Sequence, residues 1–204
     1  MFVKVCGLST PESVQAAVES GADAVGFVLT KSPREISTER ARGLLIHVPE
    51  GVAAVGVFRH EAAADAVATA REAGLEWIQL HGRRTPEDVK AVHDAGMRLI
   101  RAVTMGAPPE EFDEWGEELL LIDAAVPGSG EAWDYSTVRK LGLSGRNWLL
   151  AGGLTPSNVG DAAHEAEAWG VDVSSGVESS RGVKDLGLVR AFVRAAKAVK
   201  AVKA

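Results

Sequence analysis

Four side chains that could take part in chemistry stand at the carboxyl ends of short apolar segments. Cys6 ends FVKVC, His81 follows EWIQL, Asp123 ends ELLLID and Ser174 lies in GVDVSS. Thiol, imidazole and carboxyl groups are the side chains from which acid–base sites are built, provided that a fold brings them together. Each also has an ordinary structural explanation, because a lone cysteine is usually a small buried hydrophobe. The elements that carry these residues therefore decide between the two interpretations.

The alternation of side chains along these segments gives the polar residues a common face. Successive side chains of a strand point to opposite faces, so residues two apart share a face. If the apolar set packs against helices, the polar set faces the other way. Lys4 and Asp172 could alternatively form an interior ion pair. The pairs that lie on the same face of their strand are Lys4 with Cys6, Gln79 with His81, Leu121 with Asp123, and Asp172 with Ser174.

A local pattern recurs around Thr10, Thr85 and Thr155. Each site has Thr-Pro, then a stretch with helical periodicity, a Gly and a short β-branched run. Thr is a good N-cap, Pro suits the first helical turn and Gly suits the position after the helix. The short apolar run that follows is typical of a buried parallel strand. The intervals between the three sites leave room for about three such units each.

Eight strand-like segments follow this plan, and each is predicted to be followed by a helix. Regular β–α alternation predicts right-handed crossovers and a parallel sheet. Eight units can close as a (β/α)8 barrel, an α/β fold, near the small end of its size range. The alternative is an open doubly wound sheet, which eight equal units disfavour. With no linker or low-complexity tract, residues 1–204 are predicted to form a single barrel domain. The predicted strands are FVKVC, DAVGFVL, AAVGVF, EWIQL, RLIRAV, ELLLID, NWLLA and GVDVSS.

In such a barrel the active site lies at the carboxyl ends of the strands, so the four polar side chains are predicted to converge on one mouth. Two glycine-rich loops, AGGLTPSNV and DVSSGVESSRG, follow the seventh and eighth strands. These loops often bind phosphate in this fold through main-chain N–H groups. Gly152 and Gly153 would let the main chain approach such a ligand closely. Arg34, in KSPRE, is a candidate for binding a second anion, with a plain surface charge as the alternative.

Composition excludes several classes of function. Hydrophobic residues make up 46%, charged residues 25%, and the net charge is −6, which is ordinary for a soluble globular protein and argues against nucleic-acid binding. The spacings HxH, HExxH and CxxC are absent, so no metal site is predicted. With no long apolar run and no signal peptide, no membrane association is expected and the predicted location is cytoplasmic. The Lys-rich terminus AAKAVKAVKA is interpreted as a solvated helix end rather than a basic partner helix.

Segments along nearly the whole chain resemble, in order, the phosphoribosylanthranilate isomerases of tryptophan biosynthesis. The combination of KVCGL, QLHG and DVSSGVE is highly specific, although no single piece would be. The matching segments are KVCGL at 4–8, GADAVGFV at 21–28, SPR-IS at 32–37, QLHG at 79–82, ID at 122–123, PGSGEAWDYS at 127–136, AGGLTPSNV at 151–159 and DVSSGVE at 172–178.

The resemblance implies a cofactor-free (β/α)8 barrel, monomeric or homodimeric. Its reaction is the Amadori rearrangement of N-(5′-phosphoribosyl)anthranilate to 1-(2-carboxyphenylamino)-1-deoxyribulose 5-phosphate. It places the catalytic pair on Cys6 and Asp123 and the anthranilate-binding arginine on Arg34. The phosphate loops fall on Gly152–Gly153 and Ser174–Gly176. The implied substrate-binding residues are Arg34, Gln79, His81, Gly152, Gly153, Asp172, Ser174, Ser175 and Gly176.

The chemistry of this rearrangement assigns a role to each member of the pair. Asp123 is expected to protonate the furanose oxygen, for which a pKa raised by burial would help. Cys6 is expected to remove the carbon-bound proton as a thiolate. Lys4 could lower the thiol pKa, whereas substrate anions would oppose that effect. Gln79 and His81 are expected to orient the substrate.

The chain departs from the family pattern in two places, and two other functions stay open. Pro127-Gly128-Ser129-Gly130 replaces a run that usually has one more glycine, and the loop in FVLTKSPRE is slightly short. The nearest alternative enzyme is a histidine-pathway or bifunctional aminoaldose isomerase, but these resemble the chain with an Asp where Cys6 stands. A non-catalytic phosphosugar-binding barrel is the other alternative, which the intact set of Cys6, Asp123 and Arg34 disfavours.

Overall fold

The structure of the chain is a computed structural model that describes residues 1–125 and 132–199. Its main sheet is a closed barrel in which eight parallel strands pair in chain order and the eighth pairs with the first. The predicted (β/α)8 barrel is thereby confirmed and the open sheet excluded. The strands are β1 (Phe2–Cys6), β2 (Ala24–Val28), β3 (Ala53–Phe58), β4 (Trp77–Leu80), β5 (Arg98–Thr104), β6 (Leu119–Asp123), β7 (Trp148–Leu150) and β8 (Gly170–Val173).

The connections between the strands are mainly helical. None of the described helices has the length and apolar character needed to cross a bilayer. A short antiparallel hairpin of β9 (Glu178–Ser180) and β10 (Val183–Lys184) precedes the last helix. The α-helices are α1 (Pro11–Glu19), α2 (Thr38–Leu44), α3 (Ala63–Ala73), α4 (Pro86–Asp94), α5 (Val159–Ala166) and α6 (Leu186–Ala198), and short 3-10 helices lie at Leu45–His47, Pro109–Phe112, Tyr135–Leu141 and Ser175–Val177.

The prediction that each strand is followed by an α-helix is wrong for β5 and β6 within the described residues. The connection after β5 contains a 3-10 helix at Pro109–Phe112, and the one after β6 contains a 3-10 helix at Tyr135–Leu141. Two consecutive prolines, Pro108 and Pro109, remove main-chain donors and keep the preceding residue out of the helical region. Gly142, with φ 66°, ends the second segment after seven residues.

Two of the three Thr-Pro sites start helices as predicted. At Thr10 the capping contacts are reciprocal, because the N–H of Ser13 donates to the threonine hydroxyl and the N–H of Thr10 donates to the Ser13 hydroxyl, both at 3.2 Å. At Thr85 the main-chain N–H donates to Asp88 at 3.0 Å. Each cap fixes where the chain leaves the barrel mouth and enters the outer layer.

The third Thr-Pro site does not start a helix where expected, since α5 begins only at Val159. Asn158 takes over the local hydrogen bonds. Its Oδ1 accepts from the N–H of Thr155 at 2.7 Å, and its Nδ2 donates to the carbonyl of Gly153 at 2.9 Å. The residues after Thr155 therefore form a turn that holds the glycine-rich loop against α5.

The apolar core has two layers on either side of the sheet. Val3 and Val5 belong to the outer layer, where strands pack against helices, as their position in the alternation predicts. The inner layer is lined by smaller or aliphatic side chains, and it also encloses Lys4, Gln79 and Asp172, which are all buried. The inner apolar residues are Ala24, Val55, Ile100, Ala102, Leu119, Leu121, Leu149 and Ala151, with Cys6, Val28 and Val57 nearer the carboxyl ends of the strands.

A buried ion network occupies the outer face of β5, where the connection to β6 lacks an α-helix. Arg101 is 1% exposed and donates to Glu117 at 2.8 Å, and its guanidinium stacks on Trp115 at 4.0 Å. Arg101 also donates to the main-chain carbonyls of Glu111 and Asp113, both at 2.6 Å. Arg101 thus helps to hold a long irregular connection against the barrel, together with Arg146, which donates to Glu117 at 2.9 Å and to the carbonyl of Phe112 at 2.6 Å.

We predict that Arg101→Ala destabilises the protein by about 3 kcal/mol, because it removes one partner of a buried ion pair and leaves main-chain carbonyls unsatisfied. Urea unfolding measures the difference. The matched control is Lys90→Ala, which breaks the exposed 2.6 Å pair with Asp94 and should cost about 0.5 kcal/mol. Equal losses in the two variants would contradict the structural role of Arg101.

Candidate active site

The barrel mouth brings together the polar side chains singled out in the sequence. Cys6 and Asp123 are the last residues of β1 and β6, and His81 and Ser174 directly follow β4 and β8. Because all eight strands are parallel, these carboxyl ends open on the same side. Around the ring, β7 and β8 separate β6 from β1 on the shorter side. The thiol and the carboxyl therefore lie on different parts of one rim.

A buried ion pair lies under this rim. Lys4 of β1 stands in register with Asp172 of β8, and its Nζ is 2.9 Å from Asp172 Oδ1. Burial lowers the pKa of Lys4, but attraction to Asp172 and to Cys6 outweighs it and leaves the pKa raised. The interior ion pair considered for these residues exists, and it lies next to the candidate thiol rather than apart from it.

Cys6 sits on the wall of the mouth and is 6% exposed. It packs against Val28 and Val57, and a Cβ on Gly26 would lie only 3.0 Å from its sulfur. Burial raises the pKa of the thiol, and the Lys4 ammonium opposes this rise. Lys4 thus acts in the expected direction, but removal of the thiolate from water outweighs it.

Asp123 is buried with its Oδ1 accepting the N–H of Ala124 at 2.9 Å. Burial raises its pKa to about 6, helped by the negative charge of Asp172 and opposed by Lys4. The carboxyl therefore has the raised pKa that a general acid needs near neutral pH.

The two glycine-rich loops meet beside Asp123. They line a small cavity of about 50 Å³ together with Asp123 and Asp172. Gly152 has φ 81°, and a Cβ there would lie 2.9 Å from Asp123 Oδ1. A Cβ on Gly176 would lie 1.8 Å from the carbonyl oxygen of Leu154, so the loops touch only because glycine stands there.

Several main-chain donors of these loops are available to a ligand. Among the described residues, the N–H groups of Gly153, Ser175 and Gly176 donate to no protein acceptor. Ser175 and Gly176 begin a short 3-10 helix, where the first N–H groups lack helical partners. Ser174 instead turns its hydroxyl back to the carbonyl of Cys6 at 3.2 Å. This loop pair can bind an anion through main-chain groups alone.

Gln79 and His81 form a pair on the opposite wall. Gln79 Nε2 lies 2.6 Å from His81 Nε2. Burial, with the positive charges of Lys4, Arg59 and Arg84, lowers the pKa of His81 to about 3, so the imidazole is neutral and accepts the amide hydrogen. Gln79 Oε1 is buried and has no partner within the described part of the chain.

Arg34 is held at the mouth by two residues that the sequence analysis missed. Its Nε and Nη2 donate to Glu178 at 2.6 and 3.0 Å, and Lys184 Nζ donates to the same carboxylate at 2.8 Å. Burial opposes ionisation of Glu178, but these hydrogen bonds lower its pKa to about 2. The hairpin of β9 and β10 brings Lys184 next to Glu178, and no local sequence pattern predicts this hairpin.

The departure at Pro127-Gly128-Ser129-Gly130 lies outside the described residues. Within residues 1–125 and 132–199, no cluster of three or more His, Cys, Asp or Glu side chains could hold a metal ion.

We predict that Asp123→Asn stabilises the protein at pH 8 but not at pH 4. A carboxyl whose folded pKa is raised from 3.8 to about 6 contributes stability that is complete below pH 3.8 and is lost as the pH rises through 6. Two pKa units correspond to a loss of roughly 2–3 kcal/mol, which the neutral amide avoids. Urea unfolding at both pH values measures this, with exposed Asp94→Asn as the control. An equal effect at pH 4 and pH 8 would contradict the raised pKa.

The comparisons with known proteins agree with this geometry. The family described as N-(5'phosphoribosyl)anthranilate (PRA) isomerase matches residues 3–195. The N-(5'-phosphoribosyl)anthranilate isomerase of Trichlorobacter lovleyi is 40% identical over 202 residues, covering 96% of this chain and 97% of the relative. The phosphoribosyl anthranilate isomerase of Thermus thermophilus superposes with a TM-score of 0.89 at 35% identity, over 98% of this chain and 100% of that chain.

A further solved structure of such an isomerase is a complex with reduced 1-(o-carboxyphenylamino)-1-deoxyribulose 5-phosphate. It superposes with a TM-score of 0.84 at 34% identity and covers 97% of this chain and 98% of that chain. Sequence profile, relatives and structures thus agree over almost the full length. The chain belongs to the N-(5′-phosphoribosyl)anthranilate isomerase family.

Proposed function

We infer that this chain isomerises N-(5′-phosphoribosyl)anthranilate to 1-(2-carboxyphenylamino)-1-deoxyribulose 5-phosphate in tryptophan biosynthesis. The observation that carries this function is the membership of the family, and the position of Cys6 and Asp123 at the ends of β1 and β6 on one barrel rim supports it. The reaction moves protons within one molecule, so the side chains of this barrel suffice for it. A cofactor-free mechanism on a single domain of residues 1–204 follows as part of the proposal.

The substrate phosphate is proposed to bind between the loops after β7 and β8. The N–H groups of Gly153, Ser175 and Gly176 supply donors, and the missing side chains at Gly152 and Gly176 allow close approach. Anchoring the phosphate there places the sugar next to Asp123, which lines the same cavity. Positioning of this kind converts much binding energy into rate.

Asp123 is proposed to act first, as the general acid. It donates its proton to the furanose oxygen while the bond between that oxygen and C1 breaks and the nitrogen lone pair forms a Schiff base. With a pKa of about 6, roughly a tenth of the free protein carries this proton at pH 7. The arriving phosphate adds negative charge nearby, which raises the pKa further and favours the acid form.

Cys6 is proposed to act second, as the general base. Its thiolate removes the proton from C2, and the electron pair moves into the Schiff base to give an enolamine, which tautomerises to the ketone. Lys4 beside the sulfur stabilises the thiolate, and Asp172 holds Lys4 in place. Neutral His81, with its proton fixed on Nδ1 by Gln79, is proposed to orient the sugar.

Arg34 is proposed to bind the carboxylate of the anthranilate ring. Glu178 fixes the plane of the guanidinium through Nε and Nη2, which leaves Nη1 for the substrate. The cytoplasmic location, the monomeric or homodimeric state and the absence of nucleic-acid or membrane partners stay predictions.

Complementation of a tryptophan auxotroph that lacks this isomerase tests the function in cells. Purified protein should convert N-(5′-phosphoribosyl)anthranilate and leave the histidine-pathway aminoaldose unconverted. Conversion of both substrates would make the enzyme bifunctional. Binding without conversion of either would favour the non-catalytic phosphosugar-binding barrel.

We predict that Cys6→Ala and Asp123→Ala each lower kcat by at least about a hundredfold, the usual scale for loss of a general acid or base. Circular dichroism and thermal unfolding serve to show that both variants fold. Near-wild-type turnover in either variant would mean that its role is misassigned.

We predict that Arg34→Ala mainly raises KM, because the ground state and the transition state both carry the carboxylate that it binds. Steady-state kinetics separate KM from kcat. Arg40→Ala, which removes an exposed guanidinium from nearby α2, is the control. An unchanged KM in Arg34→Ala would assign this arginine to the scaffold around Glu178 alone.

A further inference from the structure

A second arginine stands on the rim of the mouth, directly after the last residue of β3. Every second side chain of β3 points into the barrel. Val57 is one of these, because it packs against Cys6 inside the barrel. The N–H of His81 donates to the carbonyl of Phe58 at 2.9 Å, so the ladder between β3 and β4 continues one step beyond the strand end. Arg59 therefore occupies the next inward position, beside His81.

The main chain around Arg59 is rigidly held. Its N–H donates to Glu61 Oε2 at 2.9 Å, and its carbonyl accepts from Arg84 Nη2 at 3.1 Å. Glu61 is fixed in turn by the hydroxyl of Thr30 at 2.7 Å. These hydrogen bonds use only the main-chain groups of Arg59, so its side chain takes no part in them.

The guanidinium of Arg59 has no ion pair or hydrogen bond with any residue in 1–125 or 132–199, and the residue is exposed. Its positive charge nevertheless reaches the site, because it lowers the pKa values of both Asp123 and His81. By contrast, Nε and Nη2 of Arg34 already donate hydrogen bonds to Glu178. Of these two arginines, Arg59 is therefore the one with fewer hydrogen bonds.

The position of Arg59 matches the far end of the substrate. In the closed order of eight strands, β3 lies opposite β7, four steps away in either direction. A substrate whose phosphate lies on the loops after β7 and β8 extends across the sugar toward β3 and β4. Its second anionic group, the carboxylate on the aromatic ring, is then carried toward Arg59.

We propose that Arg59 binds the anthranilate carboxylate together with Arg34 and so selects substrates with an acidic group at that end. This inference rests on the proposed function. A charge-assisted hydrogen bond at this site would be made before and during the reaction, so it strengthens binding without changing the chemical steps. Arg59 is thus a specificity-determining residue rather than part of the acid–base pair.

The test compares Arg59→Ala with wild type on N-(5′-phosphoribosyl)anthranilate and on N-(5′-phosphoribosyl)aniline, which lacks the carboxyl group. We expect KM for the first compound to rise roughly 10- to 100-fold, the range for a hydrogen bond to a charged group. KM for the second should change less than about twofold, and kcat should change little for either. Arg59→Lys should recover part of the loss, because it restores the charge without the planar guanidinium.

The control is Arg83→Ala, which removes the same charge from a nearby loop where the side chain is 86% exposed. Equal KM increases for the two compounds, an equal effect of Arg83→Ala, or no effect of Arg59→Ala would each overturn the inference. Calorimetry with reduced 1-(o-carboxyphenylamino)-1-deoxyribulose 5-phosphate gives a readout that needs no turnover. If wild type neither converts the anthranilate compound nor binds this analogue, the proposed function itself fails, which is a distinct result.

Discussion

The buried pair of Lys4 and Asp172 is the interaction on which the electrostatics of the barrel mouth depend. The pair bridges β1 and β8 inside the sheet, directly below the rim. The charge of Lys4 lowers the pKa values of Cys6, Asp123 and His81, and the charge of Asp172 raises those of Cys6 and Asp123. The two members therefore act in opposite directions on the proposed acid and base, from one fixed point. The low dielectric of the barrel interior makes both effects larger than they would be at the surface.

The two groups of the proposed acid–base pair differ in how well burial suits them. The raised pKa of Asp123 suits a group that must carry a proton, although its ionisation above pH 6 costs stability. The raised pKa of Cys6 opposes the thiolate that the proposed reaction needs. The close packing of the outer layer, in which Val3 and Val5 are completely buried, offsets the cost of these ionisations to the stability of the barrel. Where the outer layer lacks an α-helix, between β5 and β6, the ion network of Arg101 closes the gap.

The faces of the strands could be predicted from the sequence, whereas several of the connections around the rim could not. Alternation along FVKVC and GVDVSS was enough to place Lys4, Cys6 and Asp172 inside the barrel, because a strand has only two faces. The helix starts at Thr10 and Thr85 were predicted correctly because they depend on local capping. The predicted helix start at Thr155 was wrong, because Asn158 accepts the N–H of Thr155 and forms a turn there. The 3-10 segments were missed for a similar reason, since helical periodicity does not distinguish i→i+3 from i→i+4 hydrogen bonding over so few residues.

The sequence by itself determined the eight-unit plan and the inward rows of side chains, and through its resemblance to a family it predicted the pair Cys6 and Asp123. These depend on period, capping and motif, which are local properties of the chain. Only the tertiary structure decided that Glu178 and Lys184 surround Arg34, that burial outweighs Lys4 at the thiol, and that Arg59 stands across the mouth from the phosphate loops. Contacts between distant segments and the removal of water arise when the barrel closes, and no stretch of sequence carries them alone.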